Sequence, residues 1–185
     1  MRIMRITREI MRNEIICIGG YTGSGKDTIA DIVAGKLNFK RIKFSFKDVA
    51  RELNIPLMEY QKYVEKDLTI DKKFDEKILK EAKGKCVVST WLSPWYIKNA
   101  ILKVFLEASE EERARRIAKR DKMKFKEALR HVNERDTHNR GRYLALYKID
   151  ICDKSVFDLI INTEKFNPEQ SAEIIIAAYK AKVNK

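Results

Sequence analysis

The sequence predicts an α/β fold in which a five-stranded parallel sheet carries helices on both faces. Short apolar segments of strand length alternate with longer segments that have helical periodicity. The apolar segments are continuous rather than alternating with polar residues, which is typical of parallel strands buried on both faces. A glycine-rich loop between the first strand and the first helix fits the same class of fold. At 185 residues and 44% apolar content, we expect one domain with a substantial core.

The predicted elements follow one another in a regular order. The first strand covers residues 14–18 and leads through the glycine-rich loop into a helix that ends near Leu37. The other strands are predicted at residues 41–44, 86–88, 101–106 and 157–161. Further helices are predicted at residues 46–53, 57–64, 68–82 and 170–182, with others in the remaining gaps. In such a sheet, ligands gather at the carboxyl ends of the strands.

Composition indicates a cytoplasmic protein without a membrane span. No run of about 18 apolar residues is present. Residues 1–12 read as a basic extension without a secretory signal, and residues 13–185 as a single domain. The three cysteines, Cys17, Cys86 and Cys152, are odd in number and lack the spacing of a metal site, so we expect them to be reduced. We expect a monomer.

The glycine-rich loop predicts a site for the phosphates of ATP. Residues 20–28 match G-x-x-G-x-G-K-x-T between a strand and a helix. Glycines let backbone N–H groups surround a polyphosphate, and the helix N-terminus adds positive potential. Lys26 would reach the β- and γ-phosphates, and the Thr28 hydroxyl would bind Mg²⁺. The candidate ATP-binding residues are Gly20, Tyr21, Thr22, Gly23, Ser24, Gly25, Lys26, Asp27 and Thr28.

Residues 113–142 predict a helical, arginine-rich lid. They contain eight Arg and four Lys against four acidic residues. Guanidinium groups on one helical face repel one another, but they can bind a phosphoryl group bidentately. This favours a clamp for phosphoryl transfer over an ordinary basic surface. The residues at helical spacing are Arg113, Arg116 and Arg120, followed by Arg135, Asn139 and Arg142.

The net charge of +12 leaves a second class open, a nucleotide-dependent RNA-binding or assembly factor. A single-strand platform needs aromatic side chains among its basic residues. Phe125 is the one aromatic residue between positions 113 and 142. The pattern therefore argues against nucleic acid as the partner.

The chain resembles the archaeal-type cytidylate kinases, which are nucleoside monophosphate kinases of the P-loop class. The likeness runs from about Ile15 to Tyr179. It rests on ICIGGYTGSGKDTIADIVAGKL, VFLEASEEERARRIAKRD, ERDTHNRGRYLALYKIDI and DLIINTEKFNPE. The resemblance implies a P-loop three-layer sandwich that transfers a phosphoryl group from ATP to CMP or dCMP with Mg²⁺. A P-loop kinase with an altered small-molecule acceptor is the alternative.

The resemblance also implies roles for individual residues. Lys26, Arg116 and Arg120 match positions that stabilise the moving phosphoryl group, and Arg113 matches a lid position that closes over ATP. The acceptor nucleotide is expected to contact Arg51, Trp91, Arg135, Asn139 and Arg142. No general base is needed, because the acceptor oxygen is already an anion.

One stretch departs from the family pattern. Ser89, Thr90 and Trp91 stand where Glu-Gly-Arg is usual. The change removes a carboxylate that helps to position Mg²⁺ and an arginine that contacts the acceptor nucleotide. We expect a hydroxyl group to keep a hydrogen bond to metal-bound water, and Trp91 to stack on a base. In addition, Asn139 stands where bacterial relatives have Asp.

Overall fold

Five parallel strands form one sheet in the computed structural model, which describes residues 13–43, 49–51, 53–56, 59–60 and 68–184. The strand order is β2-β3-β1-β4-β5, and each neighbouring pair is parallel. The predicted fold class is therefore confirmed. The strands are β1 Glu14–Gly20, β2 Lys40–Ile42, β3 Lys85–Val88, β4 Leu102–Glu107 and β5 Leu159–Asn162.

Local sequence signals explain where the helices begin. The Ser109 hydroxyl accepts a hydrogen bond from the backbone N–H of Glu112, which caps the first lid helix. Asn167 and Gln170 form a reciprocal capping box at the last helix. The helices are α1 Lys26–Leu37, α2 Leu68–Glu81, α3 Ser93–Tyr96, α4 Glu110–Asp121, α5 Phe125–Tyr147 and α6 Pro168–Val183.

The core lies on both faces of the sheet because successive side chains of a strand point to opposite faces. From β1, Ile16 and Ile18 join a cluster that includes side chains of α1 and α6. Ile15 and Cys17 join a second cluster with Ile78 of α2. The predicted arrangement of helices on both faces is thus confirmed.

At most strand and helix termini, the predicted boundary differs from the observed one by one or two residues. The last strand, predicted at residues 157–161, runs from Leu159 to Asn162, because the backbone N–H of Phe157 donates to Lys154 within a turn and not to β4. Helix α3 lies in a gap for which a helix was predicted without bounds, because four residues are too few to show a helical repeat. The predicted helices at residues 46–53 and 57–64 lie largely outside the described residues.

The two lid helices pack against each other through a small apolar cluster. Ala114 and Ile117 of α4 meet Ala128 and Val132 of α5, and all four side chains are buried. These helices carry most of residues 113–142. That this region moves as a lid, and that residues 13–185 form one unit, stay predictions.

Cys17 and Cys86 are fully buried, and the three cysteines are free thiols. Among the described residues, no helix is both long enough and apolar enough to cross a bilayer. The cytoplasmic location and the monomeric state stay predictions.

Candidate active site

The phosphate loop connects the end of β1 to the start of α1. Gly23 and Gly25 have φ angles of +79° and +89°, which side chains other than glycine rarely adopt. A Cβ atom on Gly23 would lie 2.9 Å from the backbone oxygen of Arg113. Gly25 precedes α1, and no side chain in the described part of the chain caps this helix. The N–H groups of its first turn therefore point toward a site that suits phosphate oxygens.

The remaining loop residues frame this site. Ser24 and Thr22 are buried, whereas Asp27 and Thr28 are exposed in the first turn of α1. Gly20 closes β1 with a φ angle of +147°. The structure thus places the predicted ATP-binding segment at the carboxyl end of the central strand.

Lys26 is the first residue of α1, directly after the phosphate loop, and its amine lies beside an aromatic ring. Its Nζ atom donates a hydrogen bond of 2.9 Å to the backbone oxygen of Tyr21 and lies 5.0 Å from the centre of the Trp91 ring. The loss of surrounding water lowers the pKa of Lys26 to about 8; Asp27 opposes this shift, and Arg135 adds to it. An anion bound here would restore the favoured cationic form of the amine.

Arginines from both lid helices act electrostatically on Lys26 or on one another. Desolvation and the positive charges of Arg120 and Arg142 lower the pKa of Arg135, although Asp136 partly offsets this. The Arg120 guanidinium itself is held by Asp121 at 2.7 and 2.8 Å. Several cations within electrostatic reach of one another form an unfavourable arrangement that an anion would relieve.

Arg113 lies below the phosphate loop, where protein groups contact its guanidinium. Its Nη1 atom lies 2.6 Å from Oδ2 of Asp136 and 3.0 Å from the backbone oxygen of Thr22. The guanidinium also lies 5.1 Å from the centre of the Tyr21 ring. This placement indicates that Arg113 holds the loop in shape; its contact with ATP stays a prediction. Asp136 was not among the predicted site residues. The sequence marks it only as an acidic residue within an arginine-rich helix.

A pocket of about 260 Å³ opens beside the phosphate loop. Its lining includes Gly25 and Thr28 beside the start of α1, together with Arg116 and Phe166. The Arg116 guanidinium is held by the side-chain and backbone oxygens of Thr163, at 3.0 and 2.8 Å. The pocket therefore presents a fixed guanidinium and an aromatic ring, two groups that stack on a planar base. Sequence reasoning missed Thr163 and Phe166, which lie in the loop after β5.

One of the predicted acceptor residues, Trp91, lies beside Lys26. Arg142 donates to Oδ1 of Asn139 at 3.2 Å, and Asn139 is buried. The Trp91 ring packs edge-on against Tyr21 at 5.9 Å between centres. Arg51 is exposed in the short described segment 49–51.

No described cluster of three acidic, His or Cys side chains could hold a metal ion by itself. In nucleotide-binding sites, Mg²⁺ is commonly held by one or two protein groups together with the phosphates of the substrate. The exposed Thr28 hydroxyl beside the uncapped helix start is a suitable oxygen donor for Mg²⁺. The residues present thus fit a metal that arrives with ATP.

The phosphate loop, the parallel sheet and the arginine-bearing helices together define a P-loop kinase fold. Solved kinases share it. The shikimate kinase from Acinetobacter baumannii in complex with shikimate superposes with a TM-score of 0.63 at 14% identity, covering 97% of this chain and 99% of that one. The deoxyadenosine kinase from M. mycoides with bound dATP superposes with a TM-score of 0.53 at 18% identity, covering 90% and 99%. At such identities the likeness concerns the fold alone.

Within this class, the chain belongs to the cytidylate kinase-like family, whose sequence profile matches residues 15–165. It is 42% identical over 167 residues to the cytidylate kinase of Thermococcus kodakarensis, covering 89% of this chain and 86% of that protein. It is 44% identical over 153 residues to the cytidylate kinase of Pyrobaculum islandicum, covering 80% and 83%. The predicted family and the predicted kinase class are confirmed.

Proposed function

We propose that this enzyme transfers the γ-phosphoryl group of ATP to a nucleoside monophosphate, CMP or dCMP. The observation that carries the proposal is the position of Lys26, between the phosphate loop and Trp91 of the proposed acceptor side. Its Nζ atom lies 2.9 Å from the loop oxygen of Tyr21 and 5.0 Å from the centre of the Trp91 ring. A phosphoryl group moving between two nucleotides would pass through this region.

The donor half of the site consists of the phosphate loop and the adjacent pocket. The N–H groups of the loop and of the first turn of α1 would bind the phosphates of ATP. Its base would occupy the pocket between Arg116 and Phe166. The Thr28 hydroxyl would hold Mg²⁺, which when bound neutralises charge on the β- and γ-phosphate oxygens.

We assign to the acceptor half the predicted residues Trp91, Arg135, Asn139, Arg142 and Arg51. An oxygen of the monophosphate attacks the γ-phosphorus as the bond to the β–γ bridging oxygen breaks, and ADP leaves. Arg120 and Arg135 stabilise the negative charge on the transferred group. Movement of residues 113–142 toward the loop would exclude water, which otherwise competes as the acceptor.

The choice of CMP follows from the relatives, which are named cytidylate kinases and are about as long as this chain. The buried Asn139 amide, which both donates and accepts hydrogen bonds, can contact a pyrimidine base or a ribose hydroxyl. Trp91 offers an aromatic face on the same side.

A coupled ADP-release assay with CMP, dCMP, UMP and AMP tests the proposal. We expect ADP formation to depend on CMP or dCMP. Replacement of Lys26 by Ala should lower the rate roughly 10²- to 10³-fold, as is typical for the loss of one preorganised stabilising group. Lys36→Ala is the matched control, because Lys36 lies in the same helix but pairs with Glu173 on the surface.

If none of the four monophosphates stimulates ADP formation, the proposed acceptor class is wrong. Binding of ATP without any such stimulation would then favour a P-loop kinase with a different small-molecule acceptor.

A further inference from the structure

A carboxylate, a hydroxyl group and a guanidinium group meet beside the phosphate loop. Oδ1 of Asp27 accepts hydrogen bonds from Oγ of Ser89 at 2.6 Å and from Nη2 of Arg41 at 3.1 Å. Asp27 belongs to the first turn of α1, whereas Ser89 directly follows β3 and is buried. These residues therefore connect the phosphate loop to the carboxyl end of the neighbouring strand.

The positions of the Asp27 carboxylate and the Ser89 hydroxyl correspond to two places at which P-loop proteins bind Mg²⁺. In the pattern G-x-x-x-x-G-K-[ST], the residue directly after Lys supplies a hydroxyl to Mg²⁺. In P-loop nucleotide-hydrolysing enzymes, an Asp from a second motif completes the metal site. Here the residue directly after Lys26 is the acid Asp27, and the end of β3 supplies the hydroxyl of Ser89. The carboxylate and the hydroxyl have exchanged places, and they lie 2.6 Å apart.

Arg41 contacts one of the two carboxylate oxygens of Asp27. Its Nε atom lies 2.8 Å from Asp31, one turn further along α1, so the guanidinium has a second acidic partner. As far as the described residues show, the hydrogen bonds to Asp27 both reach Oδ1, which leaves Oδ2 for a further ligand. The Asp27 side chain is also 64% exposed.

Electrostatics gives a reason for a cation at this point. A carboxylate beside a loop that binds polyphosphate repels the ligand, unless a positive charge lies between the two. A divalent cation fits, since Mg²⁺ is commonly held by one or two carboxylates together with substrate phosphates.

We propose that Asp27 supplies the carboxylate that binds the Mg²⁺ of the metal–nucleotide complex, either directly or through a metal-bound water. Ser89 and Arg41 are positioning residues that orient Asp27. The proposal rests on the proposed function, because the metal enters with the nucleotide, and it adds Asp27 to the predicted ligand Thr28.

Binding of Mn²⁺ tests the inference without any reading of activity. The full chain is titrated with Mn²⁺ in the presence of a non-hydrolysable ATP analogue, and free Mn²⁺ is followed by electron paramagnetic resonance. For Asp27→Asn we expect the dissociation constant of Mn²⁺ to rise by roughly 10- to 100-fold, as for other groups that support a metal site. Affinity for the analogue in EDTA should stay equal or increase, because a negative charge is removed.

Two further variants make the test specific. Asp31→Asn removes the other acid that contacts Arg41, and we expect it to keep the wild-type affinity for Mn²⁺. The double variant Asp27→Ser, Ser89→Asp returns each group to its usual position, and it should recover Mn²⁺ binding that Asp27→Asn loses.

If Asp27→Asn binds Mn²⁺ as tightly as the wild type does, the inference is wrong. It is also wrong if Asp27→Asn loses affinity for the analogue equally in Mn²⁺ and in EDTA, because Asp27 would then only maintain the shape of the loop. Failure of the proposed function gives different results. If the wild-type chain binds the analogue under neither condition, ATP is not its donor. If it binds the analogue but no monophosphate stimulates ADP formation, the acceptor class is wrong and the inference about Asp27 still stands.

Discussion

The Nη1 atom of Arg113 lies 2.6 Å from Oδ2 of Asp136, and this ion pair joins the two lid helices directly beneath the phosphate loop. The other carboxylate oxygen, Oδ1, accepts a hydrogen bond of 3.1 Å from the backbone N–H of Thr22. Arg113 returns a hydrogen bond to the carbonyl of the same loop residue. The lid helices and the phosphate loop are therefore connected by hydrogen bonds. A shift in the position of the helices should change the position of the loop.

Replacing Asp136 by Asn should destabilise the protein and weaken ATP binding. The Arg113 side chain is 8% exposed and that of Asp136 is 17% exposed, so the variant leaves a largely buried guanidinium without its counter-ion. We expect a loss of about 2 to 3 kcal/mol in the free energy of unfolding, measured by urea denaturation. Glu134→Gln is the control, because Glu134 pairs with Arg130 on the exposed side of the same helix. Equal denaturation midpoints for the two variants would contradict the importance of the buried pair.

Replacing Gly23 by Ala should impair both the fold of the loop and phosphate binding. The φ angle of +79° is strained for alanine, and the added Cβ would lie 2.9 Å from a backbone oxygen that cannot easily move. We expect a cost of about 1 to 3 kcal/mol in stability, measured by thermal denaturation, with a clear loss of ATP affinity. Gly35→Ala should have the opposite sign, because a Cβ there meets nothing within 4 Å and alanine favours the helix. A Gly23→Ala protein as stable as the wild type would be inconsistent with the observed loop.

Replacing Phe166 by Ala should weaken binding of the ATP base. The ring is 42% exposed and lines the same pocket as Arg116. Loss of a stacking partner should raise the dissociation constant of ATP by roughly 3- to 10-fold, measured by calorimetry. Phe125→Ala serves as the control, since this ring is 43% exposed but lies at the turn between the lid helices. Equal ATP affinities for the two variants would place the base elsewhere.

The buried thiols should resist alkylation across the neutral and alkaline range. Burial raises the pKa of Cys17 to about 12 and that of Cys86 to about 11, so neither thiol forms the reactive thiolate in the folded protein. We expect iodoacetamide at about pH 9, above the usual thiol pKa of about 8.5, to label Cys152 alone in the native protein. Mass spectrometry after denaturation should then show all three sites labelled. Rapid native labelling of Cys17 would show that the β1 core opens readily.

The elements along the chain could largely be predicted because their signals are local. Apolar runs of strand length, helical periods and caps act over a few residues, so they are visible in the sequence. The G-x-x-G-x-G-K-x-T pattern likewise fixed the position of the phosphate loop, since its glycines and Lys26 are neighbours in the chain. The bounds of helix α3 escaped prediction because its four residues make little more than one helical turn, which is too short for a repeat to show.

The sequence by itself determined the parallel sheet, the phosphate loop and the family. Only the tertiary structure decided which arginine faces which group. Spacing placed Arg113 and Arg116 on one helical face, yet Arg113 is buried against Asp136 and Arg116 is held by Thr163. The contact of Asp27 with Ser89 joins residues 62 positions apart. Such contacts arise from the packing of β3 beside β1 and of the lid helices against the loop, and no local pattern of residues encodes them.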